Sequence, residues 1–180
     1  MSNWKQANLQ EILKGYAIDR CDVCPWISYT RHVFRANTKL PSSIVCHMEL
    51  GAEHDLRDTN NVHISRFPVP QVFVITSLHV TTTGSDHCKE LFRHNYILEM
   101  TIGQKIYHQI PVEMIDSIAV VEEPVKGLQA QPGYFPQDYP LVILQAQCYK
   151  PTLIGRSFVV DEVGLSVLVA LNGLLLRGVQ

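Results

Sequence analysis

Residues 21–26 read CDVCPW, the first place in the chain where residue types and spacing could do chemistry. Thiolates at Cys21 and Cys24 could chelate zinc or take part in disulfide exchange. A structural zinc site needs two further ligands, and the nearest offering is Cys46–His47. Neighbours on a strand point to opposite faces, so at most one of that pair would serve. No second C-x-x-C and no H-x₃₋₅-H is present. A thioredoxin-like motif would follow a strand and open a helix, whereas Pro25 and the β-prone WISY follow here. The pair reads as buried or loop cysteines, with a bound metal and a disulfide both left open.

Eight histidines invite a metal enzyme. A cupin-like site needs H-x-H with a following Glu, and no H-x-H occurs. His47-Met48-Glu49 and His54-Asp55 are fragments, and His63, His79 and His108 stand singly in strand-like text. H-E-x-x-H, G-x-S-x-G, Walker-type loops and G-x-G-x-x-G are missing as well. Glu122-Glu123 and Asp161-Glu162 are adjacent carboxylates that a strand would turn apart, so they do not flank a bond as acid and base. No catalytic, cofactor-binding or metal-ligating residue is assigned, no cofactor is expected, and the chain reads as a non-enzyme.

The elements that would position any site are legible. At 180 residues, 46% hydrophobic and 18% charged, the chain supports one ordinary globular domain. Net charge is −2 with Lys and Arg scattered singly, which argues against direct nucleic-acid binding. Five cysteines suit a reducing compartment. MSNWKQANLQ lacks the basic start and apolar core of a signal peptide. VLVAL (167–171) is far short of the roughly 20 residues that span a bilayer, so no transmembrane segment is expected.

Leu9, Ile12, Leu13 and Tyr16 fall at helical spacing, so residues 1–20 read as an amphipathic helix or arm. It would cover the domain's own core, dock on a neighbour or lie on a membrane. Residues 21–180 read as one β-sandwich domain. Strands are expected at 42–50, 67–84, either side of Gly103, 115–123, 141–150, 156–163 and 165–180. An exposed loop is expected after Gly51. A long irregular loop is expected over 123–140, which holds four prolines and two glycines. Strands that follow one another without helices between them favour an antiparallel sandwich or eight-stranded jelly roll over a parallel sheet.

In NYILEMTIGQKIYHQIP (95–111) a two-residue loop at Gly103–Gln104 would set Ile102 against Lys105 and Met100 against Tyr107. A three-residue loop over 103–105 pairs Ile102 with Ile106, Met100 with His108, Leu98 with Ile110 and Tyr96 with Val112. Only the second gives one apolar and one polar face, so the odd-length loop is expected. Tyr134, Phe135 and Tyr139 would be aromatic anchors in the long loop for a protein or a sugar. The last segment is apolar on both faces. Either Val167, Val169 and Leu171 face the core while Leu168 and Leu174 meet another subunit, or the strand is buried centrally.

QVFVITSLHV, YILEMTIGQKIYHQIPV and LNGLLLRGVQ together resemble the small single jelly-roll major capsid proteins of tailless icosahedral phages with an internal membrane. The resemblance spans about residues 67–180 and rests on texture. It implies an upright barrel, a virion location after assembly in the host cytoplasm, and partners that include itself, a second capsid protein and an internal lipid layer. No functional residue carries across, and segment 18–32 has no counterpart. The expected function is thus a structural assembly protein, a viral capsid subunit. The alternatives are a lectin-like module using Tyr134, Phe135 and Tyr139, and a cupin-like metal-dependent enzyme using Cys21 and Cys24.

Overall fold

In the computed structural model, which describes residues 21–46, 55–61, 66–68, 71–117 and 134–178, the alternation of YILEMTI becomes a strand. Tyr96, Leu98, Met100 and Ile102 are buried, and the residues between them half-buried. The helix expected within residues 1–20 lies outside the described residues, as do residues 118–123 of an expected strand.

Among the described residues eight strands form two antiparallel four-stranded sheets. They are β1 (Cys21–Phe34), β2 (Ser43–Val45), β3 (Gln71–Gly84), β4 (Tyr96–Ile102), β5 (Lys105–Pro111), β6 (Tyr134–Ile143), β7 (Tyr149–Gly155) and β8 (Leu165–Gly178). The sheet orders are β1-β8-β3-β6 and β2-β7-β4-β5. First strand therefore pairs with last, second with seventh, third with sixth and fourth with fifth. Among the strands described, only consecutive β4 and β5 share a sheet; every other consecutive pair falls on opposite sheets. The facing sides enclose one core that includes Phe73, Ile75, Leu78, Leu98, Met100, Ile143 and Leu153. Burial of such side chains supplies the main drive for folding.

The β4–β5 hairpin corrects the expected loop. Ile102 pairs with Lys105 across a two-residue turn, and a register shift follows between Met100 and Thr101. Gly103, with φ +63°, supplies the first central position of that turn. Tyr107 is the extra residue of the resulting bulge, so Met100–His108, Glu99–Gln109 and Leu98–Ile110 pair as expected. Ile106 does not join the core and is 57% exposed. A tight turn satisfies the strand twist, and the bulge then restores the inward alternation.

Helix α1 (Asp86–Asn95) contradicts the expectation of a single helix at the N-terminus. Ser85 caps it, accepting the Cys88 N–H at 3.1 Å, with Asp86 in the first turn and Arg93 and His94 in the last. Cys88 and Phe92, four apart, face the core, and Phe92 stacks on Tyr96 at 4.6 Å. Helix α2 (Val112–Ser117) replaces the start of the strand expected from 115, and Ile115 is fully buried.

Residues 134–140, expected in a loop, belong to β6, where Leu78 pairs with Phe135 and Ser77 with Pro136. β6 is an edge strand, which is where Pro136 and Pro140 are tolerated. The strand expected over 141–150 is interrupted after Ile143 by a turn in which Ala146 takes φ +58°. β7 consequently lies before the strand expected at 156–163, where only the isolated Lys39–Val159 bridge forms. β1 is a long strand through the cysteine-bearing segment.

β8 is central, between β1 and β3, with Val167, Val169 and Leu171 in the core. On the opposite face of that sheet Val72, Val74 and Leu176 form a second buried cluster, with Leu174, Val142 and Leu144 packed against it. Hence the segment is apolar on both sides. The outer edge of β1 is covered by residues 55–61: Arg31 N–H donates to Asp58 O at 2.7 Å, and Tyr29 N–H to Asn60 Oδ1 at 3.0 Å. That contact removes one exposed edge.

Candidate functional site

Positions 21 and 24 fall on opposite faces of β1, as residues three apart on an extended strand must. The Cys24 thiol points to the Leu175 carbonyl at 3.6 Å. Cys46 is buried, its pKa pushed up to about 12 by that burial, so its thiol stays neutral. Its sequence neighbour His47 is outside the described residues, as are His54, His63 and Glu122–Glu123. Among the described residues no group of three or more His, Cys, Asp and Glu side chains could hold a metal. Asp161 has a structural post: it accepts the Ser85 hydroxyl and, at 3.0 Å, the Val163 N–H. The Ser85 hydrogen bond, first among several, holds the Asp161 carboxyl below its usual pKa. Tyr134, Phe135 and Tyr139 sit on a paired strand, and their side chains are outside the described residues. Among the described residues no helix is long and apolar enough to cross a membrane.

What the fold does bring together is a cavity of about 300 Å³ in the mouth between the sheets, near the start of β1 and the end of β8. Trp26 and Leu175 come from neighbouring inner positions of β1 and β8, and Gln71 and Arg177 are cross-strand partners on β3 and β8. Arg66, Phe67 and Pro68 arrive from the segment before β3, Asn60 and Asn61 from the segment covering β1, and Tyr149 from β7. Phe67 stacks on Tyr149 at 5.3 Å and meets Phe73 at 5.0 Å, which anchors the wall. The Arg177 guanidinium lies 5.9 Å from the Trp26 ring centroid.

The floor is a buried polar network. Ser28 Oγ donates to Asn61 Oδ1 at 2.5 Å and lies 3.4 Å from Tyr149 Oη. Asn61 Nδ2 donates to Thr59 Oγ1 at 3.0 Å and to Thr30 Oγ1 at 3.3 Å. Ser28 and Thr30 occupy core-facing positions of β1, so Asn61 makes an inward polar stripe tolerable. Burial also pushes the Tyr149 phenol upward, so it remains protonated.

A second, more open cavity of about 460 Å³ lies on the outer face of the β1-β8-β3-β6 sheet. Its lining includes Tyr29, Arg31, His79, Leu168 and Asn172. Burial holds the His79 pKa below its ordinary 6.5, and its Nε2 lies 2.5 Å from Asn172 Nδ2, where neutral imidazole accepts the amide N–H. The unfolded chain therefore binds this proton more readily than the folded one. The contribution is intact above pH 6.5 and is lost as pH falls through the lower folded value. Urea unfolding of the wild type should weaken over that window, and His79→Gln should remove part of the slope. An unchanged slope in the variant would refute the assignment.

None of the residues of the mouth cavity was legible as a site from sequence. They are dispersed from position 26 to 177, and only the strand pairing joins them. No family model matches the chain, and no curated protein matches it.

Proposed function

We propose that the chain is a viral capsid subunit, a single eight-stranded jelly roll whose copies, alone or with a second capsid protein, build an icosahedral shell. The observation that carries this reading is the pairing of first strand with last, second with seventh, third with sixth and fourth with fifth. That order follows when one long hairpin, its tip at Gly103–Gln104, is rolled into two four-stranded sheets, as a jelly roll requires. The sequence texture that resembles the small phage capsid proteins points the same way. A net charge of −2 suits a shell that does not neutralise a genome directly, as where a lipid layer intervenes.

Lectin-like modules and cupins also use double-sheet rolls. Assembly is favoured over both by apolar surface at the end opposite the mouth cavity. Val33, Val159 and Val163 are 67%, 60% and 71% exposed there. The segments bearing them are tied together by Asn37 N–H to Val160 O and Val160 N–H to Thr38 O, both 2.9 Å. A rigid rim carrying three exposed valines is suited to packing against a neighbour.

Replacing Val159 and Val163 together by Glu tests the reading. The folded subunit should keep its stability within about 0.5 kcal/mol per site, since both side chains are already in water. Sedimentation should change from large particles to the single subunit, because each buried valine contributes about 1.5 kcal/mol per contact and the contacts repeat around a shell. Particles of unchanged size would remove the rim from the interface.

A further inference from the structure

We propose that the cavity in the mouth of the sandwich is a binding site for a small organic anion, a carboxylate or phosphate ester carried on a planar or apolar body. This reading does not depend on shell assembly.

Arg66 and Arg177 are permanently charged forks of N–H donors, and among the described residues no carboxylate lines the cavity with them. Asp22 is the cross-strand partner of Arg177, yet no ion pair joins the two. The Trp26 ring, 5.9 Å from the Arg177 guanidinium, lies within cation–π range and helps hold that charge at the cavity wall. The remaining wall, Phe67 and Leu175, offers no counter-charge but accepts apolar surface. Two cations lining one cavity beside an aromatic wall fit a ligand with an anionic head and a flat or oily body. A volume of about 300 Å³ lies at the low end of small-molecule sites, and the mouth of a β-sandwich or barrel is a common place for one. The floor is preorganised by the Ser28–Asn61 hydrogen bond, so little ordering is needed on binding.

Trp26 provides its own reporter. With Trp4→Phe in the full chain, the remaining indole at Trp26 is titrated with phenyl phosphate, benzoate, inorganic phosphate and benzyl alcohol. The two aromatic anions should give saturable fluorescence changes, with inorganic phosphate weaker and benzyl alcohol without effect. Arg66→Gln and Arg177→Gln should each weaken binding of phenyl phosphate about tenfold, the loss of one charge-assisted hydrogen bond. Asp22→Asn, which removes the carboxylate paired across the strands from Arg177, should strengthen it. These are rim substitutions, and an unchanged unfolding midpoint would show that lost binding is not lost folding. Equal binding by the double arginine variant, or no saturable response to either aromatic anion, would overturn the proposal. Inorganic phosphate binding as tightly as phenyl phosphate would overturn its organic part.

Discussion

Gly173→Ala should cost about 4 kcal/mol and lower Tm by roughly 8–16 °C, among the largest effects of any single methyl group in this protein. Gly173 lies in β8 opposite Ile75 and Trp26, next to the point where β3 shifts register between Ile75 and Ser77. A Cβ there would sit 1.9 Å from the Val74 carbonyl oxygen, 2.8 Å from its carbon and 3.0 Å from Ile75 Cα. Every one of those atoms is backbone of a central strand pair, so relief requires opening the β3–β8 ladder itself. Gly103→Ala is the control. Its Cβ would find nothing closer than Gln147 Nε2 at 3.6 Å, and its φ of +63° costs an L-residue only about 1–2 kcal/mol. Thermal and urea unfolding of the two variants should rank them clearly. Equal costs would mean that the close approach at Gly173 does not limit the fold.

Asn61→Ala should cost about 2–4 kcal/mol although it removes no apolar contact of note. The side chain is the acceptor for Ser28 Oγ and the donor to Thr30 and Thr59 hydroxyls in a buried network beneath the cavity. Its loss leaves Ser28, itself almost fully buried, without that acceptor and weakens the hold of residues 55–61 on the edge of β1. Asn60, one residue earlier, also bonds to β1, through the Ile27 carbonyl at 2.5 Å and the Tyr29 N–H, but from a half-buried position at the solvent edge. Water can replace those partners, so Asn60→Ala should cost no more than about 1 kcal/mol. Should the two variants unfold at the same urea concentration, the buried network would not be what fixes this segment.

The sequence carried the β class and the inward residues of β4, because strict alternation over a half-buried strand has few other readings. For β8 it offered Val167, Val169 and Leu171 facing the core as one of two arrangements. It carried the hairpin's outer register too. The turn itself was misjudged, because a bulge at Tyr107 lets a two-residue loop and a shifted face coexist, and no single register rule contains both. Helix α1 left a capping signal at Ser85–Asp86 and an apolar pair at Cys88 and Phe92, but β-rich text on either side obscured ten residues of helix. The prolines of 134–140 read as loop because edge position, which excuses them, is a property of the sheet rather than of the segment. The mouth cavity was invisible for the same reason. Trp26, Arg66 and Arg177 become neighbours only through the β1–β8 and β3–β8 pairings.

Those pairings also underlie the central claim, that this roll of strands is a shell subunit. The most direct measurement is electron microscopy of the full chain at high concentration, alone and with co-expressed candidate shell proteins. Closed particles, rings or ordered sheets, lost on replacing Val159 and Val163 by Glu, are the predicted result. Single subunits under every condition would contradict the claim.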